Sequence, residues 1–377
     1  MDRTATLVVC LAVLVVPALQ AIETDQYYSW GRPLEDSLEV MNAKINLEID
    51  RALAQTDHQR QDPGMTCNAA RKRIVNHFRL ILIHRLELWA VNSALVERIP
   101  ATAEEELRYR KVFLYHDRHP LDPAVLMAPS LTIQVDDVRF GTDKLTHFFS
   151  EGWMYYKSYR KGRRSGLSHE EAELKAIDMG AFTERTILGL ATSGVFSRAD
   201  LEANYQGLRF MTALCDPVQP LLIRTDEGWQ LREPFDFHDY ITPEWDESWQ
   251  SSIIGRFRWK RIRPVLEGYC AILDTPEVRA QRQRYASRDR VTATERRIQE
   301  LVDEGKLADP RDYSIEQVCA GRDRQGLFRN DSAPSLSIDD LKVGNTVGPL
   351  DFLYHRHRPA SRGRRVSPRG PGRLDHQ

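Results

Sequence analysis

Residues 141–153 read GTDKLTHFFSEGW. Asp143, Lys144, His147 and Glu151 interrupt a run that is otherwise apolar and aromatic. Residues four apart share a helix face, so Asp143, His147 and Glu151 form one polar stripe with Lys144 beside its start. The neighbouring Phe148, Phe149 and Trp153 predict that this helix is buried over much of its surface. Asp143 in the first turn is also what a helix N-terminus selects. The stretch therefore predicts a core helix over 143–160, broken by Gly162 to Gly166.

The flanking sequence extends this into a helical core. Leu131 to Val135 alternates in period two, Asp136-Asp137 comes next, and Val138 to Phe140 alternates again, which predicts a β-hairpin leading into the helix. Ser168 with Glu171 opens a helix over 168–188, and Ser197 with Asp200 opens another over 198–214. Upstream, Leu34, Leu38, Met41, Ile45 and Ala52 recur at helical steps and predict a helix over 34–55. A second is expected over 68–97, closed by Pro100, and Thr102 with Glu105 caps a short third. His77 and His84 would share a face of the 68–97 helix, either as a ligand pair or as satisfied histidines. Leu221 to Leu231 predicts a second hairpin, Asp236 to Trp249 an ordered loop rich in aromatics and acids, and 255–320 a return to helix. The expected fold class is mainly α: a multi-helix globular core in a single domain over 22–320, with two small β-hairpins. An irregular to disordered basic tail is expected over 321–377.

Composition agrees with a folded chain. Of 377 residues, 41% are hydrophobic and 28% charged. The net charge of −1 hides an uneven distribution, because residues 356–377 carry seven arginines against one aspartate. A basic tail on an acidic body is not the footprint of a specific nucleic-acid-binding domain, which needs a basic folded face.

Residues 1–21 read as a secretory signal peptide. Arg3 precedes the apolar run Leu7 to Val16, and Ala18-Leu19-Gln20-Ala21 offers a small-residue cleavage site. The run is too short for an ordinary membrane span, and no later segment is apolar enough for one. The expected location is periplasmic or secreted. Removal of the leader leaves Cys67, Cys215, Cys270 and Cys319, an even number with three connectivities open, in an oxidising compartment. No CxxC pair supports a thiolate zinc site.

The polar stripe is compatible with two function classes. In the first, a non-catalytic envelope-associated protein, for binding or structure, uses the stripe to fix its fold. In the second, a metal-dependent hydrolase is built where the 143–160, 168–188 and 198–214 helices pack together. His147, Glu151 and Asp200 would then hold zinc, iron or manganese, Asp143 or Glu184 would act as base, and Lys144 and Asn204 would bind ligand. Asp200 and Asn204 lie four apart, so they form a matching stripe. There is no G-x-S-x-G, no HExxH and no phosphate-binding glycine loop. Lys157 to Arg164, with the tyrosines around it, and the arginine-rich tail are candidate contacts for an anionic envelope surface.

The Gly141 to Phe149 run GTDKLTHFF resembles the Asp-Lys-x-x-His-Phe signature of VanZ-like proteins. A longer frame, with the preceding hairpin, Ser197 to Phe210 and Tyr240 to Pro243, is similar to secreted bacterial proteins sharing a GTDKxxHFF motif. The chain lacks the membrane spans of VanZ-like proteins, so their membrane-linked roles do not carry over. The resemblance singles out Asp143, Lys144 and His147 and implies no reaction.

Overall fold

The computed structural model describes residues 23–54, 64–79, 84–116, 129–186, 189–190, 193–288 and 290–325. Both the leader and nearly all of the basic tail lie outside the described residues. The helices are α1 (Leu38–Ala54), α2 (Cys67–Phe78), α3 (Arg85–Asn92), α4 (Ala103–Val112), α5 (Asp143–Thr146), α6 (Gly152–Arg164), α7 (His169–Arg185), α8 (Arg198–Ala213), α9 (Arg256–Gly268), α10 (Cys270–Leu273), α11 (Pro276–Arg288), α12 (Ala293–Asp303) and α13 (Ile315–Gln325). A π-helical turn, His147–Glu151, joins α5 to α6. The strands form three two-stranded antiparallel pairs: β1 (Thr132–Val135) with β2 (Val138–Gly141), β3 (Val195–Phe196) with β6 (Ile253–Ile254), and β4 (Leu222–Thr225) with β5 (Gly228–Leu231). The mainly helical class and both expected hairpins are present. The β3–β6 pair joins segments far apart in sequence, and neither is long enough to show a period.

The hairpin before α5 turns on Asp136 and Asp137, with φ of 54° and 61°. Asparagine and aspartate tolerate this left-handed backbone better than most residues. Here Asp36 fixes it, its carboxylate accepting from the Asp136 N–H at 3.1 Å and the Asp137 N–H at 2.6 Å.

α8 is the central helix. Twelve of its residues are buried, including the polar Asp200, Glu202, Asn204 and Gln206. It crosses the π turn at glycines on both sides. A Cβ on Gly152 would lie 2.6 Å from the Gly207 Cα, and one on Gly207 would lie 1.9 Å from the Phe148 carbonyl oxygen. Only glycine permits that backbone approach. Beneath the crossing, the Phe148 ring packs against Phe210, Phe237 and Trp245. Phe148 and Phe149 are fully buried, each contributing about 1.5–3 kcal/mol.

One expected element divides. The 68–97 helix is two helices, α2 and α3, and His84 is the N-cap of the second, its Nδ1 accepting from the Leu86 N–H at 3.4 Å. His77 and His84 therefore do not share a helix face. His77 pairs with Glu48 at 2.6 Å, while His84 packs against the rings of Phe78 and Phe149, which stack on each other. Burial pushes the His84 imidazole down to about 3. The expected 255–320 helical region is likewise several short helices, and two disulfides, Cys67–Cys215 and Cys270–Cys319, settle the connectivity.

Candidate functional site

The site lies where the start of α5, the π turn and the start of α8 meet. Lys144 is fully buried at its centre. Its Nζ contacts Asp143 Oδ2 at 2.7 Å, Asp200 Oδ1 at 2.7 Å and Glu247 Oε1 at 2.6 Å. It donates to Asp143 and Glu247, while Asp200 Oδ1 is an ion contact that accepts no hydrogen bond. Burial works against the Lys144 charge, but Asp143, Asp200 and Glu247 outweigh it and hold the ammonium well above its ordinary range.

His147 lies at the rim, its side chain 14% exposed. Its Nδ1 is 3.1 Å from Asn204 Oδ1, and its Nε2 is 3.3 Å from Asp200 Oδ2. The amide oxygen only accepts, so Nδ1 carries a proton. In a neutral imidazole the Nε2 lone pair then faces a carboxylate oxygen. Two acceptors in that position require a proton or a cation between them. Asp143, His147 and Asp200 each place one ligand atom within 4.8 Å of the others, and this group is a candidate metal site. Burial pushes the Asp200 carboxyl up, but His147 and Lys144 hold it below its ordinary value.

Glu151 does not join this ligand group. In the π turn the Gly152 N–H donates to the His147 carbonyl, an i→i+5 bond. That bond accommodates one extra residue and rotates the rest of the helix by about 100° relative to a continuous α-helix. Glu151 is half-buried near Tyr155 and Glu184, outside the three-residue ligand group.

Glu184, at the end of α7, is buried beside Asp200. Burial and then the Asp200 charge push its carboxyl well up, while the Ser197 backbone N–H hydrogen-bonds it. α7 reaches this position because Gly180 lies against Tyr155, where a Cβ would meet the hydroxyl at 1.6 Å. The expected facing of the Asp143–His147 stripe and the Asp200–Asn204 stripe is present, with Glu184 beside it.

Three members of the site have no signal in local periodicity. Glu247 comes from the loop after Trp245, and burial pushes its carboxyl up to about 8 against the opposing Lys144 charge. Thr24 Oγ1 donates to Asp143 Oδ1 at 3.0 Å. Glu23 is buried against the same cluster; burial and the Glu247 charge raise its carboxyl well above the ordinary value. The acid-rich, tryptophan-flanked composition of the 236–249 loop is the one sequence hint for Glu247.

Five carboxylates thus surround one lysine and one histidine. Glu23 Oε2 and Glu247 Oε2 are buried without a hydrogen-bond partner. Burial favours the protonated form of Glu23, Glu184 and Glu247, which offsets much of the excess of acids over cations. Comparison with protein-family models, curated proteins and solved structures gives no match to this chain.

Proposed function

We propose that Asp143, His147 and Asp200 bind a divalent cation, and that the chain is a secreted or periplasmic metal-dependent hydrolase. The observation that carries this reading is the His147 Nε2 facing Asp200 Oδ2 at 3.3 Å while Nδ1 is committed to Asn204. A ligating histidine whose other nitrogen donates to a fixed partner is the usual arrangement at metal centres. A set of one imidazole and two carboxylates suits zinc, iron or manganese and leaves coordination positions open for water and substrate. Glu184 is the acid/base group in this reading, since it lies beside Asp200 outside the ligand group and the Lys144 contacts.

The two disulfides support an oxidising compartment. Among the described residues no helix is long and apolar enough to cross a membrane. Amino-terminal sequencing of the exported protein is expected to begin at Ile22.

A second reading has its own observation. Lys144 already supplies a buried cation in contact with three carboxylates, which favours a non-catalytic envelope-associated protein with a structural polar hub. Elemental analysis of the purified protein separates the two. Stoichiometric metal that is lost in His147→Ala and Asp200→Asn, with the fold retained, supports the hydrolase reading. Metal-free protein that takes up no added zinc, iron or manganese sinks it.

A further inference from the structure

A second charged feature lies on α2 and α6 and is independent of the metal reading. On α6, Trp153, Tyr156, Lys157 and Arg160 recur at three- and four-residue steps and share a face. Arg71 of α2 lies over the Tyr156 ring, its guanidinium carbon 4.2 Å from the centroid. The Trp153 and Tyr156 rings stack with centroids 5.3 Å apart. Arg71 is only 3% exposed, and its Nε and Nη1 are buried without a hydrogen-bond partner. Burial and then the Arg160 charge push its guanidinium down to about 10. Arg160 itself contacts only an amide oxygen, Asn68 Oδ1 at 3.4 Å, among the described residues. Lys157 is held below its ordinary value by burial and by Arg79, with Glu151 the opposing charge. Arg71 thus feels the charge of Arg160, and Lys157 on the same face of α6 feels Arg79 and Glu151.

A buried guanidinium is ordinarily paired, because the desolvated charge destabilises the fold without a partner. Here the charge that acts on it is another cation, Arg160. We propose that this strip binds a phosphate group. Arg71 presents its planar fork, which matches phosphate oxygens. Tyr156 and Trp153 form an aromatic floor that holds the guanidinium in place before the anion arrives. Arg160 and Lys157 supply the flanking charge. The phosphate belongs either to a small phosphorylated molecule or to the headgroup of an anionic phospholipid.

The test uses the full exported chain at physiological salt. Calorimetry with inorganic phosphate reads the free anion. Co-sedimentation with phosphatidylglycerol vesicles, against phosphatidylcholine vesicles, reads the headgroup. Saturable binding in either arm is expected, and the arm that responds identifies the source. Lys157→Gln/Arg160→Gln, at the two rim positions, is expected to weaken binding about tenfold or more, while Arg256→Gln/Lys260→Gln on exposed positions of α9 changes it by less than about twofold. Arg71→Met, checked for an intact fold by circular dichroism, is expected to abolish saturation. The proposal is overturned by no saturable binding in both arms, by equal loss in the α9 control, or by full binding in folded Arg71→Met.

Discussion

Lys144 Nζ lies 2.7 Å from Asp200 Oδ1, and through this contact the first turn of α5 is tied to the first turn of α8. The pair is buried, and the lysine also contacts Asp143 and Glu247. Removing one partner of a buried pair leaves an uncompensated charge, which destabilises by about 3–5 kcal/mol. Lys144→Met is therefore expected to lower the stability read from urea unfolding by that amount. Adding Glu247→Gln to it is expected to recover part of the loss, because one of the stranded carboxylates is gone. A double variant no more stable than the single one would show that the charge balance at Lys144 does not govern the fold.

The glycine crossing makes a steric prediction. Gly207→Ala places a methyl group 1.9 Å from the Phe148 carbonyl oxygen, and that atom is backbone and cannot yield cheaply. A loss of about 1–3 kcal/mol or more is expected from overpacking. Gly268→Ala has open space around its Cβ and lies in the last turn of α9, where alanine is the better helix former. It is expected to leave stability unchanged or raise it by up to about 1 kcal/mol. Thermal melts of the two variants compare these directly.

Buried carboxyls that do not contact Lys144 set a pH dependence. Burial pushes Glu87 and Glu244 each up to about 8, and Asp25 up to about 6. The folded chain holds these protons more tightly than the unfolded chain does. Their stability contribution is fully present below the ordinary carboxyl range near 4 and is lost as pH rises through 6 and then 8. His84 has the opposite sense: held at about 3 when folded, it costs stability as pH falls from 6.5 toward that value. On these groups maximum stability is expected near pH 4, with the midpoint falling from there toward pH 8 because three raised carboxyls outweigh the one histidine. Each tenfold change in proton affinity is about 1.4 kcal/mol. Glu87→Gln should flatten the alkaline limb; an alkaline limb of unchanged slope would remove Glu87 from the account.

The Cys67–Cys215 bond closes 148 residues of chain and joins the start of α2 to the end of α8. Cys67→Ala/Cys215→Ala is expected to lose about 2–5 kcal/mol in urea unfolding. The Cys270–Cys319 bond closes only 49 residues and joins α10 to α13, so its removal is expected to cost less. Equal losses would point to native-state packing rather than chain entropy as the dominant effect.

The helical class, the two hairpins, the α7 and α8 caps and the facing of His147 with Asn204 were legible in the sequence, because period, capping residues and turn residues act over a few neighbours. Ser168 and Glu171 form the capping box their spacing predicts, and Ser197 Oγ accepts from the Asp200 N–H. Other features were set by tertiary structure. Glu151 lies outside the ligand group, and the π turn interrupts the regular helix that a four-residue spacing assumes. His84 caps α3 and does not pair with His77, because the chain breaks between α2 and α3. Lys144, read as a ligand-binding residue, is sealed among carboxylates. Glu247 and Glu23 enter the site from positions about a hundred residues away along the chain, brought there by close packing at Gly152 and Gly207 and by burial of the 23–25 segment. Local sequence determined which side chains each helix offers. Long-range packing, which local patterning does not encode, decided which of them meet.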